Sequence, residues 1–169
     1  LHLNEDAVGE YDTNAKMNPP LRLAEDQEAL LAGLKDGTID AIASDHAPHE
    51  EEKKKVEFGQ AAFGIIGLQT NLPLTLKHVH EGKLGRKRAV EALTSGPARV
   101  LGLPGGSLRT GAQGDISLIK PDFTWRFEKD RIQSLSKNSP FIGREFKGIA
   151  DTVLVSGKVL VQSQSCGEK

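Results

Sequence analysis

The stretch that decides the fold runs from residue 24 to residue 49. It reads Ala24-Glu25-Asp26-Gln27-Glu28-Ala29-Leu30-Leu31-Ala32-Gly33-Leu34-Lys35, then Ile39-Asp40-Ala41-Ile42-Ala43, then Ser44-Asp45-His46-Ala47-Pro48-His49. In the first piece Ala24, Leu30, Leu31 and Leu34 fall mainly on one helical face. Glu25 and Asp26 suit the positive amino end of a helix, and Gly37 can close it. The spacing therefore predicts a helix over 24–35. The second piece predicts a short buried strand over 39–43, and the third is a polar loop leaving the carboxyl end of that strand. Helix, strand and functional loop in this order form the rhythm of an α/β unit.

Outward from there, residues 4–22 are polar and loop-like. They end in Asn18-Pro19-Pro20-Leu21-Arg22, where two prolines forbid a helix and hold the backbone extended. On the other side, Glu50-Glu51-Glu52-Lys53-Lys54-Lys55 reads as a solvated charge run. Phe63-Gly64-Ile65-Ile66-Gly67 is a glycine-punctuated turn into a predicted helix over about 68–81, with Pro73 inside it or ending its first turn. Two shorter helices are expected over 86–94 and 97–101, with Ser95 as the candidate cap of the second. After Gly102 the pattern changes to strands, beginning with the alternating Asp115-Ile116-Ser117-Leu118-Ile119-Lys120, so a boundary is placed near 103. Thr152-Val153-Leu154-Val155 and Lys158-Val159-Leu160-Val161 form a hairpin across Ser156-Gly157.

With 169 residues, the chain suffices for one domain with a buried core or for one layer of something larger. Its 37% hydrophobic and 27% charged residues are the balance of a soluble globular protein, and a formal net charge of -1 advertises no polyanion, which disfavours nucleic acid as a partner. The single cysteine, Cys166, lies in a polar tail, which excludes an internal disulfide and fits a reducing compartment. With no bilayer-length apolar run and no signal-peptide pattern, the expectation is a cytoplasmic protein without a membrane partner. Leu1-His2-Leu3 begins abruptly, as though preceding chain had been removed.

In an α/β barrel the loops at the carboxyl ends of the strands build the active site, which makes Asp45 the best-placed carboxylate. An aspartate flanked by His46 and His49 can ligate zinc, and beside a metal it can also take a proton from water and return it. Asp-His-x-x-His alone is more often a capping or surface group. The assignment rests on three motifs together: Asn18-Pro-Pro-Leu-Arg22, Ser44-Asp-His-Ala-Pro-His49 and Phe63-Gly-Ile-Ile-Gly67, in this order with a helix and a strand between.

With these motifs the chain resembles the carboxyl-terminal portion of bacterial dihydroorotases in the amidohydrolase superfamily, from residue 1 to about residue 162. Related hydantoinases and allantoinases share the Ser-Asp-His opening but usually differ after it, so His49 favours dihydroorotase. The resemblance implies an α/β fold. Residues 1–102 would close a metal-dependent (β/α)8 TIM barrel, and 103–169 would form the carboxyl-terminal part of a small β-rich domain with a polar tail. In the family that domain is completed by the chain's amino-terminal segment. The implied reaction is the reversible, zinc-dependent hydrolysis of (S)-dihydroorotate to N-carbamoyl-L-aspartate in de novo pyrimidine biosynthesis.

Residue by residue, Asp45 matches the last-strand aspartate that binds metal and acts as the catalytic acid/base. Asn18 matches an asparagine that contacts substrate, and His49 the histidine that helps hold the substrate carboxylate. Phe63 and Gly64 match the pair whose backbone binds the pyrimidine ring. The groups suit these roles: an amide both donates and accepts, an imidazole can donate to an anion, and glycine allows close backbone approach. His2 is given a structural role, and His78 and His80, on a predicted helix away from the strand ends, are read as surface residues.

The family's other metal ligands, a His-x-His pair, a bridging lysine or aspartate and two further histidines, belong to earlier barrel strands that nothing here matches. One or two zinc ions would take most of their ligands from outside this chain, and the 169 residues alone are expected to be inactive. The implied partners are a small-molecule substrate, the missing amino-terminal part of the barrel, and either a second copy in a homodimer or another pyrimidine-pathway enzyme. Two rival readings stay open: a non-catalytic, dihydroorotase-like structural or assembly partner, and a hydantoinase or allantoinase.

Overall fold

The structure is a computed structural model that describes residues 1–162; the sequence expectation for the tail cysteine, Cys166, lies outside the described residues. A loop with two short 3-10 turns, Glu5–Val8 and Thr13–Ala15, leads through a cis Asn18–Pro19 bond into α1 (Ala24–Asp36). Helix α1 starts where the Asp26 carboxylate accepts the Leu23 N–H at 3.0 Å, and stops at Gly37, whose φ of 90° is the left-handed turn-off that glycine tolerates. A single turn α2 (Glu51–Lys54) follows, then α3 (Leu68–His80), α4 (Arg86–Leu93) and α5 (Ser95–Val100). The rest is a sheet of antiparallel strands in the order β1 (Ile116–Arg126), β2 (Glu145–Val155) and β3 (Lys158–Gln162). The expected hairpin is present, with Val155 opposite Lys158 and φ of 49° and 75° at Ser156 and Gly157, both positive as a type I′ turn requires.

Two apolar clusters hold these elements. Leu31 and Leu34 of α1 pack with Leu84, Ala89 and Ala92, and Ile39 and Ile42 lie against them. The second cluster joins Ile66 to Trp125, Phe127, Ile132, Phe141 and Phe146, with Leu3, Ile65 and Leu74 packed on it. Its rings meet edge-on or tilted at centroid separations of 5.6 to 6.0 Å, and the Trp125 indole N–H donates to the Gly148 carbonyl at 3.0 Å. This cluster takes residues from both sides of position 103.

Several local expectations differ from the structure. The 39–43 stretch forms no ladder with any described strand. Helices hold it instead: the Ile42 N–H donates to the Ala92 carbonyl at 2.9 Å, and Arg88 donates to the carbonyls of Leu34 and Ile39. Before residue 103, the strand-like pairing among the described residues is one isolated parallel bridge between His46 and Ile65. Parallel strands take their neighbours from crossovers distant in sequence, so a lone segment has nothing local to pair with. No closed barrel exists among the described residues.

Ser95 is not the cap of α5 but its first residue, and Thr94 in the cap position makes no capping bond because its hydroxyl donates to the Val90 carbonyl at 2.7 Å. Lys54 is not solvated with the rest of its charge run but buried. His78 is buried too, with the His2 ring against it, whereas His80 is exposed as expected.

Candidate active site

Two loops, 44–49 and 63–67, lie edge to edge. Next to the His46–Ile65 bridge, the Ala47 N–H donates to the Ile65 carbonyl at 2.9 Å. The approach requires glycine at two places. A Cβ on Gly64, whose φ is 105°, would stand 2.6 Å from the Ala47 Cβ, and one on Gly67 would stand 2.5 Å from the Ser44 carbonyl oxygen. The glycines of Phe63-Gly-Ile-Ile-Gly67 thus let one loop close against the other.

Asp45 is exposed at the first loop, with a φ of 43° in the left-handed region that aspartate enters more readily than most side chains. Its carboxylate has no hydrogen bond or ion pair among the described residues and is free to act on a ligand. The neighbouring histidines are engaged. Nδ1 of His46 accepts from the Gly67 and Leu68 N–H groups at 3.1 and 3.4 Å, which puts the proton of the neutral ring on Nε2. Nε2 of His49 lies 2.6 Å from the Phe63 carbonyl, which can only accept, so Nε2 is the donor.

Phe63 is 53% exposed with the Lys16 ammonium 4.5 Å from its ring centroid, and the Gly64 N–H donates to the Lys16 carbonyl at 2.9 Å. Asn18, two residues further on, is exposed and hydrogen-bonds to no described residue. The structure therefore joins His49, Phe63 and Gly64, sets Asp45 on the same loop as His49, and leaves Asn18 without a hydrogen bond to any of them.

Three contributors were invisible to sequence reasoning. Lys16 and Lys54 are 7% and 5% exposed and form no ion pair among the described residues. Lys16 donates to the carbonyls of Phe58 and Gly59 at 2.6 and 2.9 Å; Lys54 donates to those of Ala62 and Gly64 at 2.8 and 3.1 Å. Together they clamp the segment that ends in Phe63-Gly64, and burial holds the Lys54 ammonium below its ordinary pKa. The third is Asn138, 5% exposed, whose side chain reaches both loops. A lysine in a charge run, or an asparagine in a loop, carries no periodic signal of burial.

A cavity of about 170 Å³ borders the 42–44 stretch and is lined by His2, Leu3, Ile42, Ser44, Ile65 and His78. Both ring nitrogens of His78 lack partners among the described residues, and burial lowers its pKa. The His2 ring meets it edge-on at 6.0 Å, and burial, with a smaller contribution from Lys77, pushes His2 down to about 4.

The donor set bears on the metal that the family resemblance implies. Among the described residues no group of three or more His, Cys, Asp or Glu could hold an ion. What is present fits one ligand position, the unpaired Asp45 carboxylate, while one ring nitrogen of each neighbouring histidine, Nδ1 of His46 and Nε2 of His49, is committed to a backbone group.

Comparison with known proteins defines the class. The amidohydrolase family model matches residues 6–160, and the chain belongs to that family. Within it, the chain is 53% identical over 161 residues to a dihydroorotase of Geobacter sp. (strain M21), covering 95% of this chain and 38% of the relative. It is 54% identical over 158 residues to the dihydroorotase of Geotalea daltonii, covering 94% and 37%. Among solved structures, the L-hydantoinase (dihydropyrimidinase) from Arthrobacter aurescens superposes with a TM-score of 0.89 at 31% identity, over 96% of this chain and 37% of that one. The chain thus spans 37% to 38% of the length of these proteins. Its fold is α/β, the carboxyl-terminal part of a (β/α)8 barrel with part of a small β-rich domain, as the resemblance implied. Among the described residues no helix is long and apolar enough to cross a membrane.

Proposed function

We propose that the chain carries the carboxyl-terminal part of a dihydroorotase active site, for the reversible hydrolysis of (S)-dihydroorotate to N-carbamoyl-L-aspartate. The observation that carries this reading is the joined pair of loops, which binds the His49 ring to the Phe63 backbone and leaves the Asp45 carboxylate unpaired beside them. The dihydroorotases at 53% and 54% identity support it.

In this reading Asp45 is the proton carrier. It takes a proton from water as the new C–O bond forms at the ring carbonyl, and returns it to the ring nitrogen as the C–N bond breaks. Zinc, held by Asp45 together with ligands outside this chain, would supply Lewis acidity at that carbonyl. Asn18 offers a donor and an acceptor to the ring amide, and the Phe63-Gly64 backbone lines the ring. His49 holds the substrate carboxylate. Because its Nε2 is given to Phe63, the donor that remains is Nδ1, which carries a proton only in the imidazolium form.

The wider setting follows the same reading. The functional division lies near residue 103, with barrel loops before it and supporting sheet after it. Strand β3 leaves Val159, Leu160 and Val161 56%, 65% and 52% exposed, an apolar edge of the kind that further chain covers. The lone cysteine fits a reducing, cytoplasmic setting, and the association expected is a homodimer or a complex with another pyrimidine-pathway enzyme. The test is to produce a polypeptide of the relatives' full length, supply zinc, and measure hydrolysis of dihydroorotate, hydantoin and allantoin. Preferred turnover of dihydroorotate is expected. Preferred turnover of hydantoin or allantoin would reassign the substrate, and no turnover of any would favour a non-catalytic partner.

A further inference from the structure

We infer that Asn138 is a positioning residue that sets the spacing between His49 and the Phe63-Gly64 backbone, acting from the sheet-bearing half of the chain. The inference rests on the reading of His49, Phe63 and Gly64 as substrate-binding groups.

The side-chain amide of Asn138 makes three hydrogen bonds, all to the two loops. Its oxygen accepts the His49 N–H at 3.2 Å, and its nitrogen donates to the carbonyls of Ala47 at 2.9 Å and Gly64 at 3.2 Å. One planar group thus satisfies an N–H and a carbonyl on the first loop and a carbonyl on the second, standing in for the ladder rungs that the loops lack beyond their single bridge. The Asn138 carbonyl adds a fourth tie by accepting the Ile66 N–H at 3.0 Å. These bonds converge on the residues that flank the His49–Phe63 contact, and the Gly64 carbonyl is also the one that Lys54 holds.

Asn138 can impose a position because its own is fixed. Six residues before it Ile132, and three after it Phe141, are buried in the aromatic cluster. The Lys137 ammonium donates to the carbonyls of Ile132 and Ser134 at 2.7 and 2.8 Å, and the Ser139 hydroxyl accepts the Phe141 N–H at 3.2 Å. The placement of the sheet and its core is thereby transmitted to the substrate edge through one amide.

No other side chain has this reach and polarity. Asn138→Leu keeps the branched shape in a larger side chain and loses all three bonds. Asn138→Asp keeps the acceptor for His49 but faces the carbonyls of Ala47 and Gly64 with oxygen in place of their donor. Both variants should weaken substrate binding while the proton carrier, Asp45, stays in place, and they should differ at the His49 amide.

The experiment uses a polypeptide of the relatives' full length, with kcat and KM for dihydroorotate and hydrogen exchange of the His49 backbone amide. We expect KM to rise about tenfold in both variants, with kcat within about threefold of the parent. The His49 amide should exchange faster in Asn138→Leu and remain protected in Asn138→Asp, a split that a general loosening of the fold would not produce. If Asn138→Leu does not fold, Asn138→Asp decides by its KM. A KM within about twofold of the parent in a folded variant overturns the inference and leaves the site reading intact. A parent without dihydroorotate turnover overturns the site reading and this inference with it.

Discussion

The sheet β1–β3 and the loop pair 44–49 and 63–67 complete their hydrogen bonds in opposite ways. Each strand of the sheet finds its partner within the described chain: β1 pairs with β2 from Ile116–Leu154 to Arg126–Glu145, and β2 turns directly into β3. The loops have one parallel bridge and are otherwise tied by their own His46 and His49 rings, by the backbone carbonyls of Lys16 and Asn138, and by the side chains of Lys54 and Asn138. Antiparallel pairing can be satisfied by a two-residue turn, whereas parallel pairing needs long crossovers. The stable part of the chain is therefore the sheet with its aromatic cluster, and the proposed substrate edge lies where the backbone is least complete.

The comparison breaks first at the aromatic cluster. Phe127, fully buried among Trp125 and Phe146, should cost about 3–5 kcal/mol on change to alanine, read as a shift in denaturant midpoint. Leu34→Ala in the smaller cluster should cost less, about 2 kcal/mol, because α1 exposes much of its surface and can settle into the gap. Equal losses would mean that the two regions are not unequal in the way described.

A pH titration of stability sharpens the same contrast. Burial keeps His2 and His78 unprotonated in the folded chain, His2 down to about 4 against an ordinary value of 6.5, so the unfolded chain binds more protons. The stability linked to these groups is fully present above 6.5 and is lost as pH falls toward 4. Denaturant midpoints should drop across that window, and His2→Phe should flatten the slope; a midpoint that rises on acidification would contradict the burial. At the small end, Lys55→Ala removes an exposed ion pair with Glu51 and should leave the midpoint unchanged within error.

Local signals in the sequence were legible. Gly37 ends α1, Ser156-Gly157 makes the hairpin turn, and the motif order 18, 45, 49, 63 led to the family. Features set by distant packing were not. The 39–43 stretch has the composition of a strand but no described partner, Lys54 leaves its charge run to donate to the carbonyls of Ala62 and Gly64, and His78 is buried on a helix whose period does not reveal it. Asn138 lies 89 residues from the amide it holds, so nothing in its neighbourhood announces the contact.

The central claim is that Asp45 carries the proton. Its most direct test is the turnover of dihydroorotate by the Asp45→Asn variant in a polypeptide of the relatives' full length, with KM followed alongside. An amide is neither an acid nor a base in the working range, so kcat should fall by about two orders of magnitude or more while the fold and the His49–Phe63 edge persist. Turnover close to the parent's would contradict the account.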